Sequence, residues 1–556
     1  MPPKNIPWPF SLSRLTSIFF YVLILSFIVP VIILDLTPPI ARDALIHHLA
    51  LPRLWIEQGR FFHLPWADFS YYPMNIDLLY LVPLYFQNDV LPQFIHLSFG
   101  LGTGLLIFLY LKDKLGDNWG LTGFLVFFNT PIVLRLSTYA YVDLGMTFFI
   151  TASVYSFIQW KKGFYTKKIW FLISAIAMGL ALGSKYNALI AFAFMNMALV
   201  FCYARDTGQQ KKALASGVLF LLVVFLVASP WLIKNFLLTG NPVYPLFPNI
   251  FAASSNILQG KASIANLIPE QKGLGLLQTR SLLYGESLWE ILLIPLRIFF
   301  QGVDDSAQYF DGALSFLLIV FLPFSLIHKQ LRSDALFFIS FSVFIILVAF
   351  FTEVVRVRYI LPAIPFLAIL SVLGIYNLLM SAKQLAHGKK LILRTAVASV
   401  ALAGIFLNAV YLKNYFVFVN PLPYLVKQET RDQFLSRHIA AYPAIHYIND
   451  HVPENACVRL IFTGRRGYYL NRSYVHDPSF GMNMIHEMVR ISDDTALKDY
   501  LNKGRFTHLL IREDLFLKYV NDNFSENRGA NFLRQMASYT TLLYRANGYG
   551  VYQIHQ

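Results

Sequence analysis

The chain of 556 residues is 56% hydrophobic and only 14% charged, well below the roughly 25% charged residues of ordinary soluble domains. Its 46 Lys and Arg against 31 Asp and Glu give a net charge of +15. Most of that excess sits in short loops between apolar runs, which argues for membrane lipids as partners and against nucleic acid. The two cysteines, Cys202 in an apolar run and Cys457 in the tail, exclude a disulfide framework and suggest no zinc site.

Apolar runs of bilayer-crossing length, roughly 17 to 25 residues, lie near 15–34, 91–111, 119–138, 143–160, 168–183, 186–204, 213–232, 311–328, 334–351, 358–380 and 393–412. They predict an all-α polytopic membrane domain over 1–412, with about 11 transmembrane helices plus interfacial helices. The first run follows Lys4 and Arg14 and is too long for a signal-peptide core, so it reads as a retained span. The segment 71–86 is shorter, carries Asp77 and has prolines near both ends, so it reads as an interfacial or partly inserted helix.

With eleven spans, the loops holding Lys112 and Lys114, then Lys161 to Lys168, Arg205 to Lys212, Lys329 and Arg332, and Lys383 to Arg394 all fall on the side of the N-terminus. The positive-inside rule makes that side cytoplasmic. The opposite side receives a first outer loop, 35–90, a late outer loop, 233–310, and the tail. Residues 413–556 read as a small extracytoplasmic α/β domain. Its expected strands are 456–463 and 507–511, preceded by helices near 441–451 and 494–502, and its expected hairpin turns at Asn547 and Gly548.

Polar groups at a membrane boundary carry most of the functional signal. The stretch ARDALIHHLALPRLWIEQGRF reads as an amphipathic helix and places Asp43 only a few residues after the first span. Lys185, in the turn GSKYN, and Arg356 and Arg358, at the start of a span, lie outside against the charge bias. Contact with a phosphate explains all three, and for Arg358 the alternative is a snorkelling anchor. Asp143 opens a span, either as a partner of the helix dipole or as a donor-binding or base-orienting group. His47 and His48 could orient substrate or merely occupy a polar helix face. Asn241 and Tyr244 in TGNPVYP shape a turn or line the site.

The order of a first span, an acidic outer loop and an aromatic-proline motif (Tyr71, Tyr72, Pro73) resembles the GT-C superfamily of membrane glycosyltransferases. The resemblance continues through TPIVLRLSTYAYVDLGMTFF, GLALGSKYNALI, ASPWLIKNFLLTGNPVYPLF and RVRYILPAIPFLAIL. It is nearest to the bacterial branch related to protein O-mannosyltransferases and aminoarabinose transferases.

The resemblance implies an inverting enzyme of the bacterial cytoplasmic (inner) membrane. Such an enzyme moves a sugar from a polyprenyl-phosphate donor to a hydroxyl of an acceptor lipid, glycan or protein on the non-cytoplasmic face. Asp43 is then the expected catalytic base, with Arg358, Lys185 and Arg356 on the donor phosphate and Tyr72 among the residues lining the substrate. Two departures stand out. Asp43 is followed by Ala44 where protein mannosyltransferases usually have Glu, and Pro73 is followed by Met74 in place of a second proline. The first argues against a metal site, so no cofactor or divalent metal is expected. Competing readings are a polytopic lipid or glycan transporter or flippase, and a glycan ligase or polymerase using Arg280 and Arg297 of the late outer loop.

Overall fold

A computed structural model describes residues 14–64, 66–247, 250–251, 275–351, 355–476 and 505–555. Helix α1 (Arg14–Asp35) leads into a turn of π-helix (Ala44–His48) and α2 (Ala50–Gln58). Then follow α3 (Asn75–Tyr85), α4 (Leu91–Leu115), α5 (Asp117–Phe128), α6 (Pro131–Ser137), α7 (Asp143–Lys162), α8 (Lys168–Leu182), α9 (Ala188–Thr207) and α10 (Gln210–Thr239). The later membrane helices are Lys329–Phe350, Ile364–Ser381 and His387–Val419. Every expected apolar run is at least partly helical, yet only seven helices among the described residues are long and apolar enough to cross a bilayer unaided.

The shortfall has local causes. The run 119–138 is not one straight span: α5 and α6 meet at 74°. Pro131 has no amide proton to continue the ladder, and its ring drives Thr130 into extended backbone (φ −64°, ψ 128°). The run 311–328 breaks into Leu317–Val320 and a 3-10 stretch over Leu322–Leu326. That short piece passes backbone to backbone across Gly374, where a Cβ would meet the Phe321 carbonyl oxygen at 1.9 Å. α8 has 15 residues, about 22 Å of helix against a core of about 30 Å. α3 has 11 residues and is too short to span.

The segment Val357–Gln384 is 89% buried over its most apolar window and forms the centre of the bundle, whereas α1 and His387–Val419 are each 22% buried and present apolar side chains outward. The two ends of the bundle differ in charge. At one end, cross-loop ion pairs join Lys114 to Asp334 (2.8 Å), Lys162 to Asp113 (2.8 Å) and Lys161 to Asp206 (3.7 Å). The loops following α4, α7 and α9 therefore gather with the start of Lys329–Phe350. The first outer loop lies at the other end.

Helix His387–Val419 runs past residue 412 and ends at Asn420 in the left-handed region (φ 46°). Beyond it, β1 (Cys457–Ile461), β2 (Ser473–His476), β3 (His508–Arg512), β4 (Thr540–Ala546) and β5 (Tyr549–Ile554) form one sheet in the order β2-β1-β3-β5-β4. β1 is parallel to both β2 and β3, and β5 is antiparallel to β3 and β4. Both expected strands and the hairpin at Asn547 and Gly548 are present, as is a helix over Tyr442–His451. The helix expected near 494–502 lies outside the described residues. Helices Glu513–Asn523 and Glu526–Tyr539 were not anticipated; they cover the sheet with Phe516, Val520, Phe532 and Met536.

The sheet domain is fastened to the first outer loop. The Tyr468 amide donates to the Leu45 carbonyl (3.2 Å), the Tyr469 hydroxyl to the Pro39 carbonyl (2.8 Å) and Arg53 to Asn471 Oδ1 (2.8 Å).

Candidate active site

The expected amphipathic helix starts as a π-turn. That wider winding, common at functional sites, carries His47 and His48 with ring centroids 3.9 Å apart, and Gly59 in the left-handed region (φ 64°) ends α2. Asp43 sits immediately before the π-turn. Its amide donates to the Tyr141 hydroxyl (3.0 Å) and its Oδ2 accepts from Arg358 Nη1 (2.5 Å). Arg358 comes from the 3-10 turn Val357–Ala363, held to the late loop where the Val357 amide donates to the Phe310 carbonyl (2.8 Å).

These groups open onto a cavity of about 1230 Å³ at the end of the bundle opposite the lysine-rich loops. Asp43, His47, His48, Tyr72, Lys185, Arg356 and Arg358 all line it. Lys185 Nζ donates to Asp143 Oδ1 (2.7 Å), and Arg356 faces Asp311 at 3.7 Å. Residues from four distant stretches of chain thus meet in one place. Arg358 and Lys185, expected to share one phosphate, each have a carboxylate of their own: Asp43 for one and Asp143 for the other.

Three of the possible lining residues lie off the cavity. Asp143 is 1% exposed and lies behind Lys185 instead of lining the cavity, with Oδ2 lacking a hydrogen bond. Asn241 takes its turn-forming role: its Nδ2 donates to the Leu246 carbonyl (2.8 Å) and its Oδ1 accepts from the Val243 amide (2.9 Å). Tyr244 packs edge-on against Tyr71, with centroids 4.9 Å apart, and does not line the cavity.

Burial and neighbouring charge together set the protonation states. Burial would raise the Asp43 carboxyl, but the charge of Arg358 holds it well below the usual carboxylate range. Burial pushes His48 down to about 3 and His47 well below its ordinary value, so both imidazoles are neutral at neutral pH. Burial also raises Asp77 well above its ordinary value, and its Oδ1 lies 2.7 Å from His48 Nδ1.

A family model for dolichyl-phosphate-mannose-protein mannosyltransferases matches residues 67–239, which include Tyr72, Asp143 and Lys185. ArnT from Cupriavidus metallidurans, solved bound to undecaprenyl phosphate, superposes with a TM-score of 0.58 at 14% identity, covering 98% of both chains. The chain has the GT-C fold. AglB, the archaeal oligosaccharyltransferase of Archaeoglobus fulgidus, solved with an inhibitory peptide and a dolichol-phosphate, shares the GT-C fold with a TM-score of 0.52 at 14% identity. That superposition covers 98% of this chain and 75% of AglB. No curated protein sequence matches the chain.

Within this GT-C fold, several cavity residues escaped the sequence reading. Arg135, on the bent α6, binds Asp304 (2.8 Å), Asp305 (2.6 Å) and the Tyr139 hydroxyl (2.6 Å). It sits in an apolar run that reads as a straight span, and the signal that could have exposed it was Pro131. Asp77 was noted only as a reason to demote its helix. Arg465, Arg466 and His476 reach the cavity from the sheet domain, and nothing in the sequence joins them to Asp43. Arg280 and Arg297, the candidates of the ligase reading, do not line this cavity.

Proposed function

We propose that the chain is an inverting glycosyltransferase that takes a sugar from a polyprenyl-phosphate donor and transfers it to an acceptor hydroxyl at the non-cytoplasmic membrane face. One observation carries the reading: in a GT-C fold, the Asp43 carboxylate and the Arg358 guanidinium meet over one cavity at the end of the bundle away from its lysine-rich loops. Asp43 is the base that takes the hydroxyl proton as oxygen attacks the sugar carbon, and Arg358, Lys185 and Arg356 stabilise the departing phosphate. Tyr72, whose phenol burial pushes up to about 12, remains a hydrogen-bond donor there.

Alone, a carboxylate held below its usual range is a weak base. A donor phosphate approaching Arg358 Nη2 and Nε competes for the guanidinium charge, so donor binding restores basicity to Asp43. The base is armed only when there is something to cleave. The charge bias supports an N-terminus in the cytoplasm and a sheet domain outside it, in a bacterial inner membrane.

The same reading has the transfer run without a divalent metal: among the described residues no three His, Cys, Asp or Glu side chains cluster as an ion would require. The test is release of undecaprenyl phosphate from a panel of undecaprenyl-phosphate sugars by the purified protein with a membrane lipid extract. Release with at least one sugar, undiminished by EDTA, is expected. No release from any sugar would overturn the transferase reading, and loss with EDTA restored by magnesium or manganese would overturn the metal-free one.

A further inference from the structure

We infer that Arg42 and Arg466 form a second anion subsite, built half by each domain, that holds a phosphate or carboxylate of the acceptor beside Asp43. This deepens the glycosyl-transfer reading and rests on it for the word acceptor, though not for the site itself.

Four of the cavity's other cations have carboxylates: Arg358 has Asp43, Lys185 has Asp143, Arg135 has Asp304 and Asp305, and Arg356 has Asp311. Arg42 and Arg466 also line the cavity. Among the described residues, neither has a carboxylate within ion-pair distance, and Arg466 Nε is buried with no hydrogen-bond partner. Burial and then the charge of Arg42 push the Arg466 guanidinium below its ordinary value. Two guanidinium groups that repel one another in a partly buried cavity are stabilised by an anion between them, and their planar donor forks suit its oxygens.

The backbone is arranged to hold them there. Arg466 follows the carboxyl end of β1, the strand whose two neighbours, β2 and β3, run parallel to it. Ligands of open parallel sheets bind outside such strand ends, where the chain order reverses. The loop takes left-handed backbone at Phe462, Gly464 and Arg465 (φ 54°, 70° and 63°), a conformation that two of these three residues adopt at a cost. Hydrogen bonds from Tyr469 to Pro39 and from Tyr468 to Leu45 flank Arg42 and Asp43 on either side. The sheet domain therefore fixes the segment that carries both the base and one cation, and brings the other cation itself. The donor phosphate already has Arg358 and Lys185, so this pair is left for the second substrate.

The test uses the full chain in nanodiscs and two probes: inorganic phosphate, followed by phosphorus NMR line broadening, and undecaprenyl phosphate, followed by tryptophan fluorescence. Phosphate is expected to bind even when undecaprenyl phosphate saturates the protein. Arg42→Gln and Arg466→Gln should each weaken phosphate at least tenfold and change undecaprenyl phosphate affinity less than twofold. Arg358→Gln should do the reverse. Arg466→Lys, which keeps a charge, should recover part of the loss, and Arg42 is exposed, so its variant tests the site without disturbing the core. Displacement of phosphate one for one by undecaprenyl phosphate would reveal a single donor site and overturn the inference, as would unchanged phosphate binding in both Gln variants. If undecaprenyl phosphate binds nowhere while phosphate still depends on Arg42 and Arg466, the subsite stands and the glycosyl-transfer reading fails.

Discussion

The first and late outer loops are both rich in charge, and they use it in opposite ways. In the late loop Arg280 and Glu286, 3% and 4% exposed, bind each other through two hydrogen bonds (2.5 and 2.8 Å). Arg280 also donates to the Gln308 carbonyl (2.7 Å), Arg297 reaches Glu286 at 3.1 Å, and both arginines lie over the Phe310 ring. That cluster is paired within itself and does not line the cavity. In the first loop Asp43 has a single guanidinium partner, His47 Nδ1 has none, and the groups face a cavity. A charge whose partners are all in place holds the fold; one left partly satisfied beside open volume is available for chemistry.

Replacing Asp43 by Asn sharpens this contrast most. It keeps the shape and removes the proton acceptor, so turnover should fall by roughly 10² to 10⁴ while the protein still inserts and binds undecaprenyl phosphate. A variant keeping more than half the wild-type rate in a transfer assay would move the base elsewhere.

The matching change in the late loop, Arg280→Met, leaves the buried Glu286 with Arg297 as its one remaining cation among the described residues. Removing one partner of a buried pair costs about 3 to 5 kcal/mol, so the unfolding midpoint in detergent should drop clearly while the folded fraction keeps its turnover per molecule. Lost turnover at unchanged stability would give the late loop a catalytic share and revive the ligase reading.

The smallest expected effect separates the two loops by pH. The folded state raises Asp77 and lowers His48. Below the ordinary histidine value of about 6.5 these two slopes oppose each other. As pH rises from the unfolded carboxylate value toward the raised Asp77 value, the folded state binds more protons than the unfolded one, so the Asp77 contribution to stability falls. The slope is at most about 1.4 kcal/mol per pH unit.

Glu286 behaves the other way: burial would raise it, but hydrogen bonds from Arg280 and Arg297 lower it, so its contribution is present above the unfolded carboxylate value and lost in acid. Across a pH series of thermal unfolding, the wild type should show a component that declines as pH rises and that Asp77→Asn removes. The same decline persisting in Asp77→Asn would mean that another group takes up the proton.

Composition and run length determined a great deal by themselves. Apolar segments must be helical in lipid because their backbone groups have no other partners there, and the one-sided lysines separated the two ends of the bundle. Short buried apolar runs and an Asn-Gly turn revealed β1, β3 and the terminal hairpin in the same local way. Asp43, Lys185 and Arg358 stood out because a polar group at a membrane boundary needs a reason.

Tertiary structure decided which of these meet. No local pattern shows that Arg358 pairs with Asp43, that Asp143 lies behind Lys185, or that Asn241 folds back on its own turn. Hydropathy likewise missed the 74° bend that turns Arg135 toward the cavity, because a sliding average smooths over the single missing amide proton of Pro131. Arg466 was least visible of all. It lies more than four hundred residues from Arg42 in the chain, and their meeting at one cavity depends on how the sheet docks onto the first loop, through hydrogen bonds between the two.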